Sequence, residues 1–143
     1  MRVFCIGVSA LLLTACDGGD APADAVTPAA FGLGEGQWEA GTRSGLCSAR
    51  GADAAFILYA EDDSNCMAQG RIGEVEGDLV FVPQGDEQCQ IPLAREGDTL
   101  TFGDGCEACR YYCGGTAEYV GMELTRASDP SYELVDAAGD SIC

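Results

Sequence analysis

The sequence predicts a mainly β fold: a small antiparallel sandwich or barrel of about seven strands, with one or two short helical turns, stapled by disulfides. Two observations carry this. Glycine is abundant, at 20 of 143 residues, and the apolar runs between turn residues are short. In addition, Glu76-Gly77-Asp78-Leu79-Val80-Phe81 recurs as Glu96-Gly97-Asp98-Thr99-Leu100-Thr101-Phe102. Both copies place Gly-Asp directly before an apolar strand. Glycine supplies positive φ and aspartate can bond its own backbone, so each copy reads as a hairpin turn.

The elements follow in order. Trp38 lies in a first strand, Gly36 to Gly41, and Phe56 to Ala60 form a second. Glu61 to Asn65 make a polar turn, after which Cys66 to Ile72 read as a third strand. Leu79 to Val82, Cys89 to Leu93 and Thr99 to Phe102 continue the meander. Pro92 lacks an amide hydrogen, so it is expected on an edge or at a bulge. Ala117 to Leu124 read as the last strand. One helical turn is expected from Gly105 to Cys113, capped by Asp104 and ended by Gly114. A second is expected from Asp129-Pro130 to about Gly139, with aspartate as N-cap and proline at the first helical position.

The amino end carries a different signal. Arg2 is followed by an almost wholly apolar or small run, Cys5 to Leu13. That run is too short to span a bilayer, which takes about 20 residues. It fits the apolar region of a secretory signal peptide. Leu13-Thr14-Ala15-Cys16 closes it and resembles the lipobox of bacterial lipoproteins. The resemblance implies cleavage before Cys16, with lipidation of the Cys16 thiol. Two or more acyl chains give stable anchoring, whereas one is marginal. Residues 1–15 are thus read as signal peptide, 16–30 as an acidic tether without enough apolar surface to order itself, and 31–143 as one domain. The implied location is the bacterial cell envelope, anchored through Cys16 and facing the periplasm, with inner and outer membrane both open.

Charge and missing residue types bound the chemistry. The net charge is −17, and loss of Arg2 with the leader makes it −18. Such a surface disfavours nucleic acid and suits cations or basic proteins of the envelope. The chain has no histidine and all seven of its basic residues are arginine. This excludes a histidine general base, a Schiff-base lysine and a P-loop lysine. No enzyme activity, cofactor or metal is therefore expected.

Seven cysteines remain beyond Cys5 and Cys16: Cys47, Cys66, Cys89, Cys106, Cys109, Cys113 and Cys143. Export favours disulfides, and an odd number leaves one sulfur over. Of roughly a hundred pairing schemes, geometry favours Cys66 with Cys89, at the heads of neighbouring strands, and Cys109 with Cys113, one helical turn apart. Cys143 would pin the C-terminus to Cys47, leaving Cys106 as the free thiol. The competing readings of Cys106, Cys109 and Cys113 are a thiol-redox site or a metal or iron–sulfur site with Cys89 as fourth ligand. Cys109-Arg110-Tyr111-Tyr112-Cys113-Gly114 resembles a Cys-x-Tyr-Tyr-Cys-Gly element of small uncharacterised exported bacterial proteins, and Asp136 to Cys143 is similar to their carboxyl ends. The resemblance implies fold and disulfides but no activity.

Weaker constellations complete the reading. Glu61 to Asn65 offers oxygen ligands for calcium without the spacing of an EF-hand loop, so a solvated turn is expected. Tyr111 and Tyr112 could anchor a partner, although one ring of such a pair commonly packs inward. Glu118 and Glu123 would form a catalytic carboxylate pair only across a cleft. The expected role is a non-catalytic binding or structural module at the envelope. One alternative is an inhibitor of a basic wall-cleaving enzyme such as lysozyme, and another is the thiol-redox or metal protein.

Overall fold

Among the described residues every paired strand runs antiparallel to its neighbours, and the pairing closes on itself. The computed structural model describes residues 27–28, 32–49 and 52–143. Its strands are β1 (Thr27–Pro28), β2 (Gly36–Ala40), β3 (Ser44–Ser48), β4 (Asp53–Tyr59), β5 (Asn65–Val75), β6 (Asp78–Pro83), β7 (Ile91–Glu96), β8 (Thr99–Phe102) and β9 (Glu123–Ala127). From β2 to β9 each strand pairs with the next, and β9 returns to β2 with Trp38 opposite Arg126. The result is an eight-stranded up-and-down barrel, one strand more than the sequence suggested. Closure satisfies backbone groups that an open sheet would leave on its edges.

The long strand β5 bends the barrel. Its residues 65–71 pair with β4, while residues 70–75 pair with β6. Thr27 and Pro28 lie opposite Glu74 and Gly73, so part of the segment read as a tether joins the sheet. The rest of that segment, the leader and Cys16 lie outside the described residues.

The hairpin turns obey glycine chemistry, but the two copies of the echo use it differently. Glu76 and Gly77, at φ 52° and 95°, form the two-residue turn between β5 and β6. Gly97-Asp98 forms the turn between β7 and β8, with positive φ at Gly97. Both are the primed turns whose twist suits adjoining strands. Pro92 lies within β7, opposite Val80 of β6, and not on a sheet edge as expected, because the barrel closes; its carbonyl accepts from the Gly103 amide, just past the end of β8, at 2.7 Å.

Strand β3 is the one the sequence conceals. Ser44-Gly45-Leu46-Cys47-Ser48 lacks β-branched and aromatic residues, the usual strand signal. Gly45 is there for space: a Cβ on it would meet the Trp38 carbonyl oxygen at 2.4 Å and the Leu134 side chain at 3.0 Å. The last strand also shifts, from the expected Ala117–Leu124 to Glu123–Ala127, because Ala117 and Tyr119 turn inward as part of a loop.

Side chains fill the barrel. Trp38, Leu46, Phe56, Phe81, Ile91, Leu100, Phe102 and Leu124 are fully buried. The Phe56 ring meets Phe81 at 4.9 Å and Phe102 at 5.2 Å between centroids, both edge to face. Such pairs contribute about 0.5–1.5 kcal/mol beyond the area they bury.

Candidate functional site

One mouth of the barrel is closed by the loop of residues 103–122, which joins β8 to β9. Its centre is a 3₁₀ helix, Glu107–Tyr112. Cys106 precedes it with extended φ/ψ and no side-chain cap, so Asp104 is not the cap that the sequence suggested. Ala117 and Tyr119 of this loop are buried in the main core, with Tyr119 tilted against Phe102. Burial raises the Tyr119 phenol above its ordinary value.

Two disulfides hold this cap: Cys66–Cys113 and Cys89–Cys109. These replace the expected pairs Cys66–Cys89 and Cys109–Cys113. The physical reason is the helix type. A 3₁₀ helix repeats every three residues, so positions four apart face different ways. Cys109 points into the core, where it is fully buried, and meets Cys89 in the loop before β7. Cys113 has left the helix in an extended conformation and bridges to the start of β5. Cys106 carries the free thiol; partly exposed, it donates to the Gln88 carbonyl at 3.0 Å.

The cap divides its two tyrosines. Tyr112 packs against the core and donates to Asp86 Oδ2 at 2.9 Å. Burial, helped by the Asp86 carboxylate, pushes its phenol up to about 12. Tyr111, edge to face with Tyr112 at 5.5 Å, is 86 % exposed. It is the most exposed large apolar side chain among the described residues.

A second feature lies outside the barrel. Beyond β9 the tail returns along β3 and β4, where Leu134 and Ile142 bury against Ala55 and Ile57. Tyr132 donates to the Ser44 carbonyl at 2.7 Å, and Cys143 is bonded to Cys47. The helix expected from Asp129 is absent from this tail. Asp136 Oδ1 instead accepts from the amides of Ala138 and Asp140, at 2.8 and 2.9 Å. That local bonding favours a turn over a helix, and Val135 pairs with Ser141 across it. Beside the tail runs a groove of about 640 Å³ walled by Asp53, Gln69, Arg71, Gln84 and Glu87, with Arg71 and Glu87 in an ion pair at 2.9 Å.

The remaining candidates are dispersed. Asp62 Oδ1 accepts from the Ser64 amide and hydroxyl, and the hydroxyl bond holds the carboxyl below its ordinary value. Arg43 pairs with Asp63, and Ser64 Oγ accepts from the Thr116 amide, so this segment is a turn tied to the cap. Glu118 and Glu123 are both exposed. Among the described residues no three Cys, Asp or Glu side chains are placed to hold a metal ion. Cys109 and Cys113 belong to separate crosslinks, so Cys106 has no companion thiolates in this state. Comparison with known proteins finds no matching family model, curated protein or solved structure.

Proposed function

We propose that the protein is a lipid-anchored lipoprotein of the bacterial cell envelope, facing the periplasm, whose barrel is a non-catalytic binding or structural module. Lipidation of Cys16 attaches it to the membrane. Three disulfides in a small domain support an oxidising compartment. A barrel packed with aromatic side chains supports engagement of partners by the outer surface rather than the interior.

The observation that carries the binding role is Tyr111. An 86 % exposed ring stands on a cap that two disulfides and the Tyr112–Asp86 bond hold in place. A rigid aromatic anchor orders few side chains on binding, which favours affinity. Asp86, Glu87 and Glu107 lie on the same cap and its neighbouring loop, and the chain's net charge of −17 favours a basic partner. The second reading, inhibition of a basic wall-cleaving enzyme such as lysozyme, rests on the same ring and charge.

Passage of the domain over immobilised lysozyme tests both. Retention at moderate salt, lost on changing Tyr111 to alanine, is the expected result. Failure to bind at low salt removes the inhibitor reading. If a panel of basic envelope proteins is also not retained, the binding role goes with it.

A further inference from the structure

We propose that Cys106, Cys89 and Cys109 form a three-sulfur exchange centre, in which the crosslink anchoring the cap to the loop before β7 can pass to Cys106 and free Cys89. This is independent of the binding role. It rests on where one thiol sits relative to one disulfide.

Cys106 approaches the crosslink from both of its ends. Along the cap, the Cys109 amide donates to the Cys106 carbonyl at 2.9 Å, one 3₁₀ turn. At a rise of about 2.0 Å per residue, that turn puts the two Cα atoms roughly 6 Å apart, within disulfide range. A Cβ on Gly105, the residue before Cys106, would lie 3.0 Å from Cys109 Sγ. Across the cap, the Cys106 thiol touches the Gln88 carbonyl, and Gln88 precedes Cys89. The thiol is partly exposed whereas both crosslinked cysteines are fully buried. Of the three sulfurs, Cys106 alone is a thiol and alone is reached by solvent, so the nucleophile of an exchange is Cys106.

The step needs no outside oxidant or reductant. Cys106 gives up its proton, and the thiolate attacks Cys109 Sγ in line with the Cys89 sulfur. The Cys106–Cys109 bond forms as the Cys89–Cys109 bond breaks. The electron pair leaves on Cys89, which takes up a proton. One disulfide and one thiol exist before and after.

The change matters for the cap. Cys89–Cys109 spans 20 residues and fastens the 3₁₀ helix to the body of the barrel. Cys106–Cys109 is a local link inside the cap. After the exchange, Cys66–Cys113 is the cap's remaining disulfide to the barrel among the described residues. The helix end that bears Tyr111 stays fastened by Cys66–Cys113 and the Tyr112–Asp86 bond, whereas the amino end, at Cys106 and Cys109, loses its disulfide to the body of the barrel.

The experiment incubates the oxidised protein at pH 8 without reductant, quenches in acid to stop exchange, and maps thiols and crosslinks by mass spectrometry. Wild type should yield a fraction of chains with a Cys106–Cys109 crosslink and a Cys89 thiol. In C106S that Cys89 thiol should vanish. Equal Cys89 thiol in the two proteins overturns the proposal, as does a wild-type thiol at Cys106 alone or at Cys106 and Cys109. A second variant keeps the geometry testable. In C89S, air oxidation should join Cys106 to Cys109, and persistence of both as thiols contradicts the assignment.

Discussion

Cys47 and Cys143 are joined across 96 residues of sequence, with their Cα atoms 6.1 Å apart. The bond seals the tail against β3 and β4, so it protects a second, smaller core. In the chain-entropy account, a loop of about this length contributes about 4.7 kcal/mol. The double variant C47S/C143S should therefore unfold at markedly lower denaturant. Urea unfolding with a loss of about 2–5 kcal/mol, and a slope that rises because the denatured chain without this crosslink is more open, is the expected result. A loss below 0.5 kcal/mol would show that packing of Leu134 and Ile142 alone holds the tail.

Gly45 marks a close approach between β3, β2 and the tail. G45A would drive a methyl group to 2.4 Å from the Trp38 carbonyl oxygen, a backbone atom with little room to retreat. The expected loss is about 1–3 kcal/mol, typical of overpacking. Thermal unfolding monitored by Trp38 fluorescence reads it, since Trp38 is the chain's one tryptophan. A variant as stable as wild type would place β3 further from β2 than described.

Tyr112 should resist ionisation. Its phenol is raised from 10.0 to about 12, by burial first and then by the Asp86 carboxylate. The fold favours the neutral form, so the stability this group lends is complete below pH 10. It is lost as pH climbs towards 12. Ultraviolet titration of wild type against Y112F isolates the transition, and D86N should move it down. A Tyr112 midpoint near 10 in wild type would contradict the buried, hydrogen-bonded placement.

Tyr111 should be dispensable for folding and needed for binding. Its side chain is 86 % exposed, so Y111A should change stability by no more than about 0.5 kcal/mol. The same variant should lose retention on an immobilised basic partner. Unchanged retention would move the contact surface away from the cap.

Much of the barrel was legible because its strands carry large apolar residues between turn residues. Phe56 to Tyr59, Leu79 to Val82 and Thr99 to Phe102 needed only their own neighbours to be read. Strand β3 was hidden because its reason for existing is steric and remote: Gly45 leaves space under Trp38 and Leu134. The tail was misread because Asp129-Pro130 looks like a helix start, while Asp136 prefers to bond the amides of Ala138 and Asp140. Local sequence contains both signals and does not rank them.

The cap was legible as a helical turn and as a cysteine cluster, but not as a lid. Cys109 and Cys113 are four apart, which suits pairing in an α-helix. The tighter 3₁₀ turn sends one sulfur to Cys89 and the other to Cys66. That outcome depends on which loop lies under the helix, and the loops come together only when β2 and β9 close the barrel. Tyr111 stood out in the sequence as one of a pair. Its selection over Tyr112 as the exposed ring follows from Asp86, 26 residues from Tyr112 in the chain.

The most direct test is mass spectrometry, without reduction, of the protein extracted from its native membranes. The account expects a chain that begins at an acylated Cys16 and carries Cys47–Cys143, Cys66–Cys113 and Cys89–Cys109, with one thiol left per chain. A water-soluble, unacylated polypeptide that starts at Met1 with its cysteines reduced would contradict it.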